Sequence, residues 1–310
     1  MFELATNHMT KFIGIDLGGT GVRLVVTDEN HKILQHSKIS TKQFNAPTQK
    51  QSISMLQKWI EECVSDFKGI DAVGIGSTGP VDLITGIIHN PDTLPQFSGT
   101  DLAGDLSALL NCEVWIDNDA NAAGIAESVL GSGKDFRSVL CVTIGTGIGV
   151  ALINNGLPIR ALDGQHPEGG HIRVSNIHAP CYCGLDSCWE MSASRLALEK
   201  LARKQLEIGD IEAHLDYSRI SPDTWREFGR RIADGLITHL VISRPELVVV
   251  CGSIIEQWQL FDSHVIDRLN SLRGFGETRE VRRSHFGDLS GAIGATLMAR
   301  NKIGIGKFPS

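Results

Sequence analysis

The chain contains nothing near the ~18 consecutive apolar residues that a membrane-spanning helix requires. Its opening residues, MFELATNHMTKF, hold no apolar run of secretory type and already carry Glu3, so a cytoplasmic location is expected. Met9, just ahead of the first predicted strand, is a candidate start. A basic surplus is missing too. Lys and Arg number 29 against 36 Asp and Glu, a net charge of −7, which argues against a nucleic-acid partner. A phosphate-handling site in so acidic a chain must rest on backbone N–H groups, a metal ion and a few placed cations. No low-complexity segment or long linker interrupts the 310 residues, of which 42% are hydrophobic and 21% charged. That is ordinary globular usage, with room for one large domain or two medium ones.

Cysteine is sparse except in one place. Of seven cysteines, Cys63, Cys112, Cys141 and Cys251 are scattered in apolar surroundings and read as buried free thiols. Cys181, Cys183 and Cys188 fall within eight residues, and in a reduced compartment such a cluster points to metal rather than disulfide.

The pattern of apolar runs predicts a strand over 12–16, a glycine turn at Leu17-Gly18-Gly19-Thr20, a strand over 22–27, a turn at 28–31 and a further extended stretch to Ser40. Helical spacing follows over 47–67, through Ile53, Leu56, Trp59, Ile60 and Cys63. A strand over 71–77 runs into Gly76-Ser77-Thr78-Gly79-Pro80; helix 102–110, strand 113–116 and helix 120–130 come next. The opening pattern then returns: strand 138–143, glycine turn Gly145-Thr146-Gly147, strand 148–153, and the hairpin signal Asn154-Asn155-Gly156. Residues 165–190, polar and rich in Gly and Cys, read as an insertion. Helices near 192–206 and 222–242, a buried strand over 246–251 ending in Gly252-Ser253, and helices near 253–272 and 290–301 complete the chain. Two strand–glycine turn–strand units, each leading strands and helices, predict two similar α/β halves around a cleft that closes on substrate.

Paired glycines let backbone approach a ligand and present N–H groups as an anion nest, although a plain tight hairpin explains the first turn equally well. Asp16 at the strand end could hold a metal-bound water near a polyphosphate, and Arg23 either adds charge there or points to solvent. The turn is not a P-loop, since no Gly-Lys-Ser/Thr follows, nor a dinucleotide fingerprint, since a strand rather than a helix follows the glycines. Thr143-Ile144-Gly145-Thr146-Gly147-Ile148-Gly149 repeats the arrangement, and two such hairpins could clamp one polyphosphate. Gly252-Ser253, a strand-to-helix turn, is a third nucleotide-facing candidate or simply an N-cap. Between the hairpins, Asp117-Asn118-Asp119-Ala120-Asn121 joins a strand to a helix. Asx residues there are often caps, but a carboxylate at a strand's C-terminal end sits where α/β folds bind ligands, and a kinase needs one to accept the attacking hydroxyl's proton. His171-x9-Cys181-x-Cys183-x4-Cys188 is a four-coordinate Cys3His set suited to structural zinc, with His178 as an alternative to His171. Glu168 and Glu190 flank it, either as solvated surface or as carboxylates that the metal loop holds for hydroxyl groups.

Together these residues resemble the ROK family (repressor, open reading frame, kinase) of the actin-like/hexokinase ATPase superfamily, from Ile13 to about Ala299. Asp16-Leu17-Gly18-Gly19-Thr20 is similar to the family's first phosphate motif and Ile144-Gly145-Thr146-Gly147 to its second. Asn118-Asp119 resembles its sugar-binding Asn and catalytic Asp, Glu168-Gly169-Gly170-His171 its Glu-x-Gly-His, and Cys181 through Glu190 its zinc signature. Ser187 departs from a usual glycine, and Cys251 stands before Gly252 where glycine is common. The resemblance implies two actin-like (ribonuclease H-like) α/β domains flanking a cleft, divided as 1–118 (completed by a helix near 290–304) and 119–289 with the zinc loop 165–190. It implies ATP and Mg²⁺, a structural Zn²⁺, a homodimer, and phosphorylation of a hexose or N-acetylhexosamine at C6. In that reading Asp119 is the base, and Asn118, Glu168, His171 and Glu190 contact sugar. Asp16, Gly18, Gly19, Thr20, Gly145, Thr146, Gly147 and Gly252 face nucleotide. The family's transcriptional repressors carry a helix-turn-helix module ahead of the first phosphate motif, which here begins at Asp16; a regulator or sugar-binding protein without kinase activity is the alternative. Ser77-Thr78-Gly79 and Val114 to Asp119 resemble N-acetylmannosamine kinases, while His166-Pro167-Glu168 and Gly79-Pro80-Val81-Asp82 are closer to the fructokinase branch, and glucose and allose kinases share the common core.

Overall fold

The computed structural model of the chain describes residues 10–64, 67, 69–174, 178–207, 215–272 and 280–309. The reading of Glu3 and Met9 lies outside them. The chain begins with β1 (Lys11–Leu17), β2 (Gly21–Asp28) and β3 (Ile33–Ser40). Helix α1 (Gln49–Cys63) is started by a capping box in which Thr48 accepts from the Gln51 N–H. It stops at Cys63, short of the residue 67 that its apolar spacing suggests. β4 (Ile70–Ser77) precedes α2 (Leu102–Leu110), which is capped by the Asp101 carboxylate at Gly104 and ends on left-handed Asn111. Then come β5 (Glu113–Asn118), α3 (Asp119–Val129), β6 (Ser138–Ile144), β7 (Ile148–Asn154) and β8 (Leu157–Pro158). α4 (Trp189–Ala193) and α5 (Arg195–Leu206) break at Ser194, whose side chain caps the second. α6 (Pro222–Ser243) starts with Ser221 as N-cap and Pro at its first position. β9 (Leu247–Cys251), α7 (Asp262–Asn270), β10 (Glu280–Arg283), α8 (Ser290–Asn301) and β11 (Ile305–Lys307) finish it.

The predicted helix over 253–272 is two elements: a 3-10 helix, Ser253–Leu260, and α7, separated by Phe261 at φ −140°. Fully buried Phe261 stacks on Trp225 with ring centroids 6.0 Å apart, and packing that ring breaks the helix. Strands β10 and β11 escape sequence reading because each is only three or four residues long. Among the described residues no helix is long and apolar enough to cross a membrane.

The chain forms two compact units. The first comprises the described residues of Met1–Ala126, Arg160–His166 and Leu289–Ser310, and the second Glu127–Ile159 and Pro167–Asp288. The first unit holds a six-stranded sheet in the order β11-β5-β4-β1-β2-β3. β1, β4 and β5 are parallel, with Leu17 beside Ser77 and Ser77 beside Asn118, so their C-terminal ends lie at one edge. Ile13, Ile15, Leu17, Val73 and Ile75 face α1 and α2 in one apolar core. On the other face α8 lies directly on the strands. A Cβ on Gly14 would stand 1.9 Å from the Ala292 carbonyl oxygen and one on Gly74 1.8 Å from that of Ala295, so only glycine admits the helix.

Segment Arg160–His166 joins this unit rather than its sequence neighbours for identifiable reasons. Arg160 pairs with Asp117 and donates to the Gly164 carbonyl, Gln165 donates to the Val81 carbonyl at 3.0 Å, and Gly164 packs on Leu83. The second unit holds a five-stranded sheet, β10-β9-β6-β7-β8, in which β6 and β9 run parallel with Thr143 beside Cys251. Its core gathers Leu140, Val142, Val248 and Val250 with Trp189, Phe228, Ile232 and Leu236.

Candidate active site

In the first unit, the parallel register sets Asp16, Thr78 and Asn118-Asp119 along one sheet edge. Asp16 ends β1 with its carboxylate 3.3 Å from the Arg23 guanidinium, so Arg23 turns inward rather than to solvent. The N-terminal turn of α8 backs the same carboxylate, since a Cβ on Gly291 would come within 2.8 Å of the Asp16 carboxyl carbon. The turn that follows closes through Gly18 N–H to the Gly21 carbonyl at 3.1 Å, and Thr41 donates to the Gly18 carbonyl at 2.6 Å. Thr20 is exposed at its tip and Gly19 lies against Thr93.

The Asx cluster divides its labour. Buried Asp117 is structural: it accepts from Asn121 Nδ2 at 3.0 Å and from the Arg160 guanidinium. Asn118 caps α3 through Oδ1, accepting from the Ala120 N–H at 2.8 Å. Its Nδ2 faces Gly79 and has no hydrogen-bond partner among the described residues, a donor available to a ligand. Asp119, partly exposed, accepts from Ala120 N–H through Oδ1 and from Thr78 Oγ1 through Oδ2, both at 2.8 Å. Thr78 is a neighbour that sequence reasoning did not connect to this carboxylate. Thr78→Val keeps the volume and removes the bond; turnover is expected to fall by about 3–10-fold with the sugar KM little changed, as steady-state kinetics will show.

In the second unit, the Gly145-Thr146-Gly147 turn closes with the Gly145 N–H on the Gly147 carbonyl at 2.9 Å. Gly147 must be glycine, because a Cβ there would sit 2.2 Å from a Glu190 carboxylate oxygen. That oxygen accepts from the Ile148 N–H at 2.8 Å, so the turn itself holds buried Glu190. Arg195, another residue the sequence did not single out, reaches Thr146 Oγ1 at 3.4 Å and so places a cation at the turn. Gly252 (φ 93°) lies against the Ile144 carbonyl, where a Cβ would come within 2.4 Å, so it shares an edge with this turn. A cleft of about 410 Å³ lined by Ile255, Glu256 and Ser284 to Gly287 opens beyond it.

His171, Cys181, Cys183 and Cys188 converge, with one ligand atom from each lying within 4.8 Å of the others. His171 Nδ1 is 3.5 Å from Cys181 Sγ, and Cys183 Sγ is 3.5 Å from Cys188 Sγ. Tetrahedral zinc with thiolate bonds of about 2.3 Å places its sulfurs about 3.8 Å apart, and the observed separations, from 3.5 Å to at most 4.8 Å, bracket that value. His178, by contrast, is exposed and pairs with Asp186. Burial, with hydrogen bonds that the Cys188 thiol donates to Cys183 and Cys181, pushes that thiol up to about 12, and a bound dication reverses that preference. Exposed Glu168 precedes the short turn Gly169–His171. That turn is held from behind by His239 of α6, whose Nε2–H donates to the Gly169 carbonyl at 3.1 Å. Burial lowers the His239 pKa and keeps the imidazole neutral for that bond.

The model of the ROK family matches residues 12–302. The chain belongs to the ROK family. It is 27% identical to a glucokinase of Thermotoga maritima over 95% of this chain and 98% of that one. It is 29% identical to the xylose repressor of Bacillus subtilis over 91% of this chain and 75% of the repressor. The crystal structure of a ROK family glucokinase from Streptomyces griseus in complex with glucose and AMPPNP superposes with a TM-score of 0.80 at 26% identity, covering 94% and 99% of the two chains. The mixed α/β architecture with two sheets is thus the actin-like fold of ROK hexokinases, and the chain is by class an ATP-dependent sugar kinase.

Proposed function

We propose that the chain transfers the γ-phosphoryl group of MgATP to the C6 hydroxyl of a hexose or N-acetylhexosamine. The observation that carries this reading is Asp119. It is a partly exposed carboxylate at the C-terminal end of a parallel strand, oriented by Thr78 and by the Ala120 N–H of α3, beside the unused amide of Asn118. A primary hydroxyl is the least hindered nucleophile. Its proton passes to Asp119 as its oxygen bonds to the γ-phosphorus and the bridging oxygen leaves with ADP. Each glycine turn, the first with Asp16 and the second with Arg195 and Gly252, offers donors and charges suited to a polyphosphate.

Glu168, His171 and Glu190 offer neighbouring acceptors and a donor for ring hydroxyls, which suits a hexose better than a short polyol. His171 Nδ1, Cys181, Cys183 and Cys188 would hold a structural zinc ion whose service is to fix that loop. Residues of the Gly145 turn and Glu190 lock each other, so phosphate and sugar groups are positioned by one piece of backbone. A coupled ATP-consumption assay over glucose, mannose, allose, fructose, N-acetylmannosamine and N-acetylglucosamine, followed by NMR of the product, tests the reading. Turnover with at least one of them and phosphate on O6 is expected. Phosphate on the anomeric oxygen, or consumption of glycerol alone, would refute it, and sugar binding without ATP consumption would favour a regulator.

A further inference from the structure

Tyr182 stands between two of the clustered cysteines, and its phenol is turned toward the groups just given to the sugar. The ring is 71% exposed, so little packing holds it where it is. Its hydroxyl nevertheless lies 3.2 Å from His171 Nε2, and the two rings meet edge to face at 87° with centroids 5.2 Å apart. The Glu190 carboxylate faces the same hydroxyl closely enough to interact with it.

The donors and acceptors match. His171 presents Nδ1 to the Cys181 sulfur, which leaves Nε2 to carry the proton when Nδ1 binds a metal. The phenol oxygen then accepts from Nε2–H while its own proton goes to Glu190. One donated and one accepted bond at a single oxygen is also what a sugar hydroxyl would make with this pair of residues. Glu190 cannot withdraw to make room, because its carboxylate is anchored on the Ile148 N–H at 2.8 Å.

We infer that Tyr182 competes with a sugar hydroxyl for His171 and Glu190, and that a sugar enters this part of the site by displacing the phenol. This rests on the assignment of His171 and Glu190 to sugar binding. Because the ring is mostly exposed, displacement needs only a side-chain rotation, and its energetic weight is that of the two hydrogen bonds given up. The sugar replaces those bonds, so the net effect is a uniform weakening of affinity by the fraction of time the phenol occupies the pair.

The test is Tyr182→Phe, which keeps the ring and its edge contact with His171 and removes only the competing hydroxyl. Calorimetric titration of the full-length, metal-containing protein with D-glucose and with N-acetyl-D-glucosamine should show the Kd of the sugar that binds falling by about 3–10-fold in the variant. Zinc content measured in parallel should be unchanged. The chain has two tyrosines, so wild-type protein labelled with 3-fluorotyrosine gives two resonances, and the one absent from Tyr182→Phe should shift on sugar addition. A Kd that rises in the variant would mean the phenol is a sugar ligand, and a Kd that does not change with a resonance that does not move would mean it is a bystander; either overturns the inference alone. Wild-type protein that binds neither these two nor any other of the six sugars named above would overturn the sugar-site reading itself, and this inference with it.

Discussion

Asp119→Asn loses turnover by ~10²–10⁴ while it still binds sugar. The substitution is nearly isosteric. The retained amide oxygen can go on accepting from the Ala120 N–H, and Thr78 can rotate its hydroxyl to accept from the new NH2, so neither α3 nor the 2.8 Å contacts need move. What disappears is the capacity to take a proton. The hydroxyl must then attack with its proton still in place, or lose it to water, and the loss amounts to about 3–5 kcal/mol of transition-state stabilisation. Asn118, whose amide is the adjacent free donor, is untouched, so sugar affinity measured by calorimetry should stay within a few fold. A variant with near-normal turnover would move the base elsewhere. Glu190 would be the next candidate, although both its anchor on Ile148 and its contact with Gly147 argue for a fixed binding role.

The strand ends that carry this chemistry were legible because each is an apolar run cut off by glycine or Asx: Leu17-Gly18, Ser77-Thr78-Gly79, Ile116-Asp117-Asn118, Ile144-Gly145 and Cys251-Gly252 all terminate strands. The cysteine cluster was legible because it is local, and local spacing decides whether four ligands can meet. What stayed hidden depends on register and packing. Thr78 meets Asp119 across 41 residues only because β4 and β5 are parallel with Ser77 beside Asn118. Arg160 seeks Asp117 across 43 residues, which assigns the strap 160–166 to the first unit. His239 supports Gly169 across 70 residues from near the C-terminal end of a helix whose apolar spacing gave no sign of it. The break at Phe261 is likewise a tertiary effect, an aromatic cluster overriding helical periodicity.

Purified protein is expected to contain about one zinc per chain, and Cys183→Ser to lose metal, stability and sugar affinity together. Cys183 is the informative position because it is exposed while Cys181 and Cys188 are buried, so serine there removes a ligand without opening a cavity. The loop it serves has little else to hold it. Between Gly169 and Cys188 the described residues form one short 3-10 turn and two isolated bridges, Arg173 with Cys188 and Pro180 with Asp186. A segment with so little regular structure opens locally unless something links it, and a metal that binds only the closed form contributes its binding energy to that closure. Losing it should lower the melting temperature by about 3–5 °C, the change expected from roughly 2–3 kcal/mol in a protein of this size. The kinetic signature is more specific. His171 is itself a ligand and Glu168 lies three residues before it, so the sugar KM should rise by about tenfold or more even though Glu190 stays on the Ile148 N–H. The KM for ATP should move little, because the Gly18-Gly19 turn is in the first unit and the Gly145 turn is closed by its own backbone bond. Chelation of the wild-type protein should reproduce both effects, and zinc should restore them there but not in the variant. Metal-free protein with the same melting temperature and the same sugar KM would show that the four ligands meet for no structural purpose.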